Sequence, residues 1–197
     1  REHLDFYRDI NEIKAAFLQF ANIVPFYGST VLCLDDRHVC EILPEIKRKT
    51  ITYGLNPPAD YRAADISMRG ATSTFSVLHR EELLGTATLH VPGLFNIYNA
   101  LATIAVAREI DMDFQTIVNG LKTFTGAHRR LEVKGTVGGV TVVDDYGHHP
   151  TEIRETLSAA RNVWEGRLIV VFQPHRYTRT RALFEEFTGA FHAADLL

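Results

Sequence analysis

The rhythm of apolar residues changes near Gly126, and that change constrains the fold more than any other feature. Beyond it, strand and helix signals alternate. Leu131 to Val137 and Val140 to Val143 read as strands joined by a Gly138-Gly139 hairpin turn. Pro150 opens a helix running to about Val163, with Glu152 and Glu155 in a first turn that favours negative charge. Leu168 to Phe172 is a continuous apolar run, the pattern of a parallel strand buried on both faces. Residues 179–193 read as helix and Asp195 to Leu197 as the start of another strand. Strand–helix–strand–helix–strand in sequence argues for a doubly wound sheet.

Before Gly126 the pattern is mixed. Ile10, Ile13, Ala16, Phe17 and Phe20 have helix spacing. Thr30 to Leu34 and Thr50 to Tyr53 read as short strands, Val39 to Ile46 as a short helix, and Asn56-Pro57-Pro58 as a turn. Alternation from Tyr61 to Val91 predicts two or three antiparallel strands, ended by Pro92-Gly93. Residues 96–109 and 114–124 read as helices. The expected fold is therefore α/β in two parts. Residues 1–126 form a mixed sheet with antiparallel strands and helices, 127–130 a hinge, and 131–197 the first half of a Rossmann-like doubly wound domain.

Composition removes several function classes. The 197 residues are 46% hydrophobic and 23% charged, which excludes intrinsic disorder. A formal charge of -3 gives no field to attract nucleic acid or anionic lipid. No apolar run approaches the ~20 residues of a membrane span, so no membrane insertion is expected. The charged N-terminus is not a signal peptide. A chain that starts at Arg1 and stops on Leu196-Leu197 reads as cut at both ends. Cys33 and Cys40 have no metal-ligand companions; they are expected to be small buried hydrophobes in a reducing, cytoplasmic compartment.

In an open parallel sheet, ligands bind beyond the carboxyl ends of the strands. Two such ends are crowded. Asp144-Asp145-Tyr146-Gly147-His148-His149-Pro150 follows one, and Gln173-Pro174-His175-Arg176-Tyr177-Thr178-Arg179-Thr180-Arg181 follows the other. The first offers carboxylates, for an ammonium group, a ribose hydroxyl or a metal ion. The second offers guanidinium forks, for carboxylate or phosphate. If the loops adjoin, the crevice suits a zwitterion such as an amino acid beside a phosphorylated partner; the competing reading is an ion-pair network between the loops. His148, His149 and His175 lack zinc-ligand spacing, so acid–base work or substrate hydrogen bonding fits them better. Asn96 and Asn99 share a helix face, where they either cap the helix or read an adenine edge with paired donor and acceptor. His128-Arg129-Arg130 is either a solvated basic run or a hinge cluster that reaches a phosphate.

Taken in order, five motifs carry a resemblance. They are Glu2-His3-Leu4-Asp5 before a helix, Gly93-Leu94-Phe95-Asn96-Ile97-Tyr98-Asn99, the junction from Gly126 to Arg129-Arg130, Asp144 to Glu152, and Phe172 to Thr180. Over essentially the whole chain they resemble the Mur ligase family of peptidoglycan synthesis; the last two motifs, the most specific, resemble its alanine-adding members. The resemblance implies that residues 1–126 are the later part of a central ATP-binding domain and 131–197 a partial C-terminal domain. The family's UDP-binding domain and its phosphate-holding Gly-x-x-Gly-Lys-Thr/Ser loop do not occur in these residues, so the chain alone is expected to be inactive.

The family reaction uses ATP to convert the carboxylate of UDP-N-acetylmuramate to an acyl phosphate, which the amine of L-alanine then attacks. By the resemblance, His3 would help bind Mg²⁺, and Asn96 and Asn99 would contact the adenine side of ATP. Arg130 would reach the phosphates, and Asp145 the ribose. Tyr146, His148, Arg176 and Arg179 would form the alanine pocket, with Arg130, Asp145 and His148 as the catalytic group. Three positions depart from the family pattern: Glu2 stands where Asp is usual, Phe95 where many alanine-adding members have His, and His128 where Gly is commoner. Two alternatives stand beside this reading. One is the related ligase that recycles murein tripeptide, which usually carries Phe-Ala-His-His in place of Tyr146-Gly147-His148-His149. The other is a non-catalytic module that binds a nucleotide or an amino acid.

Overall fold

A computed structural model describes residues 6–56 and 58–197. Glu2-His3-Leu4-Asp5 and the Pro57 of the expected turn lie outside the described residues. The chain begins with α1 (Ile10–Ile23), capped by Asp9, whose carboxylate accepts the N–H groups of Asn11 and Glu12. Then come β1 (Ser29–Cys33), the short α2 (Arg37–Ile42) and β2 (Lys49–Gly54). The alternating stretch resolves into three strands, β3 (Tyr61–Arg69), β4 (Thr72–His79) and β5 (Glu82–Leu89), paired antiparallel. The sheet order is β1-β2-β3-β4-β5, with β1–β2 and β2–β3 parallel.

Two helices cover this sheet, α3 (Leu94–Glu109) and α4 (Phe114–Thr123). From α3, Ile97, Leu101 and Ile104 are fully buried against Phe75, Val77 and Leu89. Burying each such side chain stabilises by roughly 1.5–3 kcal/mol, so the position of α3 on the sheet is firmly set. An exposed link leads to the hairpin of β6 (Glu132–Val137) and β7 (Val140–Asp144). Gly138 and Gly139 turn it, both with positive φ (57° and 78°), which matches the twist of a two-residue hairpin loop. Helix α5 (Pro150–Val163) follows and packs back on α3 and β3.

Three expectations need correction. The run 168–172 is not buried on both faces: Leu168, Val170 and Phe172 pack inward, while Ile169 is 51% and Val171 98% exposed. Its one parallel bridge joins Ile169 to Leu196. Helices lie on one side only, and among the described residues no element covers the other. The stretch 179–193 is not one helix but α6 (Tyr177–Ala182) and α7 (Phe184–Thr188). The break falls at Leu183 (φ −117°, ψ 24°), and the turn lets Leu183 and Phe187 both enter the cluster around Ile153 and Leu157. Of the cysteines, Cys33 is half-buried, but Cys40 is exposed and its thiol donates to the Leu34 carbonyl at 3.0 Å. Among the described residues no helix is long and apolar enough to cross a membrane.

Candidate functional site at the joint between the two parts

The entry to α3 is set by Gly93, which caps the helix at φ 99°. A Cβ there would lie 2.4 Å from Cε1 of Phe95, so only glycine fits. Asn96 is not a side-chain cap for the helix N–H groups. Its Nδ2 donates back to the Pro92 carbonyl at 2.7 Å, and its Oδ1 accepts from Asn99 Nδ2 at 3.4 Å. Asn99 is exposed one turn further on. Tyr98, between them, donates its hydroxyl to Asp35 at 2.9 Å.

Backbone conformation shapes the link between the two parts. Gly126 (φ 102°), Arg129 (58°) and Leu131 (48°) are all left-handed, and for the two non-glycine residues this is strain held by the surroundings. Asp145 supplies part of the hold. Its carboxylate accepts Leu131 N–H at 2.9 Å, Gly147 N–H at 2.7 Å and the Thr156 hydroxyl at 3.1 Å. One carboxylate thus ties hinge, loop and α5 together. Arg130 stands 3.5 Å from Glu152. Glu152 Oε2 also accepts the N–H groups of His148 (3.0 Å) and His149 (3.1 Å). Burial pushes the Glu152 carboxyl up, but those two amide donors, with the Arg130 charge behind them, outweigh it and hold it below the usual range.

A cleft of about 1540 Å³ opens between α3 and α4 on one side and the hinge, Asp145 and α5 on the other. Asn96, Asn99, Arg130 and Asp145 all line it, together with Phe95, Glu152, Glu155 and Trp164. The four residues expected to hold a nucleotide therefore share one surface. The donor set suits such a ligand: the exposed Asn99 amide beside the half-buried Asn96, and the Arg130 guanidinium.

The second expected group adjoins it through Asp145-Tyr146. Tyr146 meets His148 edge-on with centroids 5.0 Å apart, and His148 meets His175 at 6.0 Å. The two loops that follow β7 and the 168–172 segment are thus neighbours. Arg179 donates to the His175 carbonyl at 3.0 Å. Arg176 precedes α6 with φ 70°, a further strained position beside Arg129 and Leu131. His148 Nδ1 lies 2.9 Å from the Tyr146 carbonyl, which can only accept, so that nitrogen carries a proton. Of the two carboxylates in the first loop, Asp144 pairs with Arg129 at 3.4 Å and Asp145 serves the bonds above. Among the described residues no group of three His, Cys, Asp or Glu side chains could hold a metal ion, and His3 lies outside them.

Sequence reasoning missed several lining residues. Glu152 was visible as a helix-start charge and as the end of a motif, but not as a cleft residue; with His149, whose Nδ1 accepts Thr151 N–H at 3.2 Å, it makes a capping box that uses an unusual cap residue. Phe95 packs with Leu131, Val143 and Trp164 in a cluster that joins the two parts. Nothing in the sequence pattern pointed to that contact.

Fold and cleft define a two-part α/β chain with a polar-lined cleft at its joint. Family matching makes the class specific: residues 1–107 match the Mur ligase middle domain, and 129–197 match the Mur ligase glutamate ligase domain. The chain belongs to the Mur ligase family. It is 68% identical over all 197 residues to UDP-N-acetylmuramate–L-alanine ligase of Syntrophus aciditrophicus, covering 41% of that protein. It therefore spans about two fifths of the length of this curated relative. Among solved structures it is similar to UDP-N-acetylmuramate–alanine ligase from Thermotoga maritima, with TM-score 0.78, 27% identity, and 99% of this chain and 42% of that one covered. The MurF ligase of Thermotoga maritima in complex with ADP shares the fold, with TM-score 0.78 at 17% identity over 99% of this chain and 45% of that one.

Proposed function

We propose that the full-length protein is an ATP-dependent ligase that joins L-alanine to UDP-N-acetylmuramate through an acyl phosphate. The observation that carries this reading is a convergence. Asn96, Asn99, Arg130 and Asp145 share one cleft, and the Tyr146–His148–His175 rings lead from it toward Arg179. The high identity to a ligase of that name supports the choice of substrates. Dependence on ATP and a nucleotide sugar supports a cytoplasmic setting.

The side chains divide the work by chemistry. Asn99 offers an amide to the adenine edge, with Asn96 fixing its position. Arg130 presents a planar fork to phosphate oxygens and offsets charge that grows on the transferred group. Asp145 faces the ribose while holding the hinge. Arg176 and Arg179 take the amino-acid carboxylate. His148 Nε2 accepts the proton that the ammonium of L-alanine must lose before its nitrogen can attack. Mg²⁺ was expected at His3; since the described residues hold no cluster for it, no step is assigned to it. Residues 1–126 serve as the nucleotide side, 127–130 as the joint and 131–197 as the amino-acid side.

This division predicts opposite kinetic signatures in the full-length protein. Arg176→Ala should raise KM for L-alanine by about tenfold or more, the scale of one lost charged hydrogen bond, and leave KM for ATP nearly unchanged. Asn99→Ala should do the reverse. Steady-state kinetics on both variants check this, and a shared defect in both constants would overturn the division.

A further inference from the structure

We propose that Arg129 is a positioning residue for the amino-acid pocket: it holds the Tyr146 ring, and through it His148, where the amino acid is received. The inference rests on the pocket reading above and adds a residue to it. Arg129 and Arg130 are neighbours in sequence, yet their guanidinium groups meet different partners. Arg130 turns to Glu152 on the cleft. Arg129 lays its guanidinium over the Tyr146 ring, 4.7 Å from the centroid. The left-handed backbone at Arg129 (φ 58°) and Leu131 (φ 48°) flanks that divergence.

The attachment is multiple. The Arg129 carbonyl accepts Tyr146 N–H at 2.7 Å. Its Nε stands 3.4 Å from Asp144. Its own N–H donates to Glu132 at 2.8 Å. Two residues on, Leu131 N–H is held by Asp145. Arg129 is thereby fixed to the loop after β7 and moves with it. From there the contacts are continuous: guanidinium to Tyr146, Tyr146 to His148, His148 to His175. The same Tyr146 whose ring is stacked supplies the carbonyl that sets the His148 tautomer. A ring tilted out of this stack would shift both the pocket wall and the proton-accepting nitrogen. Lysine would keep the charge near Asp144 but lose the planar face that stacks.

The test uses the full-length protein and a double-mutant cycle. Arg129→Ala should raise KM for L-alanine about three- to tenfold, as expected for losing a partly exposed cation–π contact, with KM for ATP within about twofold. Arg129→Lys should recover part of the loss. The effect of Arg129→Ala should persist beside Tyr146→Phe, which keeps the ring, and vanish beside Tyr146→Ala. An unchanged alanine KM, equal rises in both KM values, or effects of Arg129→Ala and Tyr146→Ala that simply multiply would overturn the proposal. Arg176→Ala separates the two levels: if it shifts alanine KM and Arg129→Ala does not, only the role of Arg129 fails. If neither Arg176→Ala nor Tyr146→Ala shifts alanine KM, the pocket itself is wrongly placed, and the proposal falls with it.

Discussion

At the scale of single residues, Asp35 and Tyr98 fix the face that α3 presents to the cleft. Asp35 lies just past β1, and its carboxylate accepts Leu55 N–H at 2.6 Å, Asn56 Nδ2 at 2.9 Å and the Tyr98 hydroxyl at 2.9 Å. Burial pushes its carboxyl up, but these donors outweigh burial and hold it below the usual range. Burial and the Asp35 charge push the Tyr98 hydroxyl above its ordinary value. The signs differ. Asp35 stabilises the fold above its unfolded pKa of about 4, and that contribution is lost as pH falls through its lower folded value. Tyr98 contributes below its unfolded pKa of about 10, and that contribution is lost as pH rises through its higher folded value. Tyr98→Phe should lower stability by about 1 kcal/mol near neutral pH, the low end for a partly exposed charged hydrogen bond. Urea unfolding across pH checks it. The loss should shrink at both extremes, and superimposed curves at all pH values would contradict it. None of this was legible in the sequence, where Tyr98 was only a residue between two asparagines. Likewise the basic run at 128–130 showed charge but not direction, because left-handed backbone at a non-glycine residue leaves no mark in composition.

At the scale of elements, the Pro150 start and the first-turn Glu152 located α5 well, and α3 spans Leu94–Glu109 against an expected 96–109. Periodicity found β3 to β5, because alternation reports which face is buried. It could not report partners, so the parallel pairing of β2 with β3 was not foreseen. The run 168–172 misled because five apolar residues look the same whether one face or two are covered. Helix α1 shows a related limit: its spacing is helical, yet Phe17, Phe20 and Ile23 are exposed. The start of α3 is the most demanding element boundary. Gly93→Ala places a methyl against Phe95 at a left-handed position. It should cost at least about 1 kcal/mol of stability and raise KM for ATP in the full-length protein, because Phe95 and Asn96 must move. Alanine KM should change little. Thermal unfolding and steady-state kinetics read both effects, and an unaltered KM for ATP would separate this turn from the cleft.

At the scale of the whole molecule, two contacts hold the walls of the cleft together. Helix α5 packs on α3 and β3, and Phe95 enters the cluster of Leu131 and Trp164. The sequence offered the residues on each wall but not these contacts, which are non-local and carry no periodic signal. The family motifs supplied what periodicity lacked: they grouped Asn96, Asn99, Arg130 and Asp145 before any geometry was known. The central claim is that this joint serves an alanine-adding ligase. Its most direct test is phosphate release by the full-length protein with ATP, Mg²⁺ and UDP-N-acetylmuramate, comparing L-alanine with murein tripeptide, and with the 197-residue chain as a parallel sample. Release should depend on L-alanine in the full-length protein and be absent from the shorter chain. Release that requires tripeptide, or amide formation by the shorter chain alone, would contradict it.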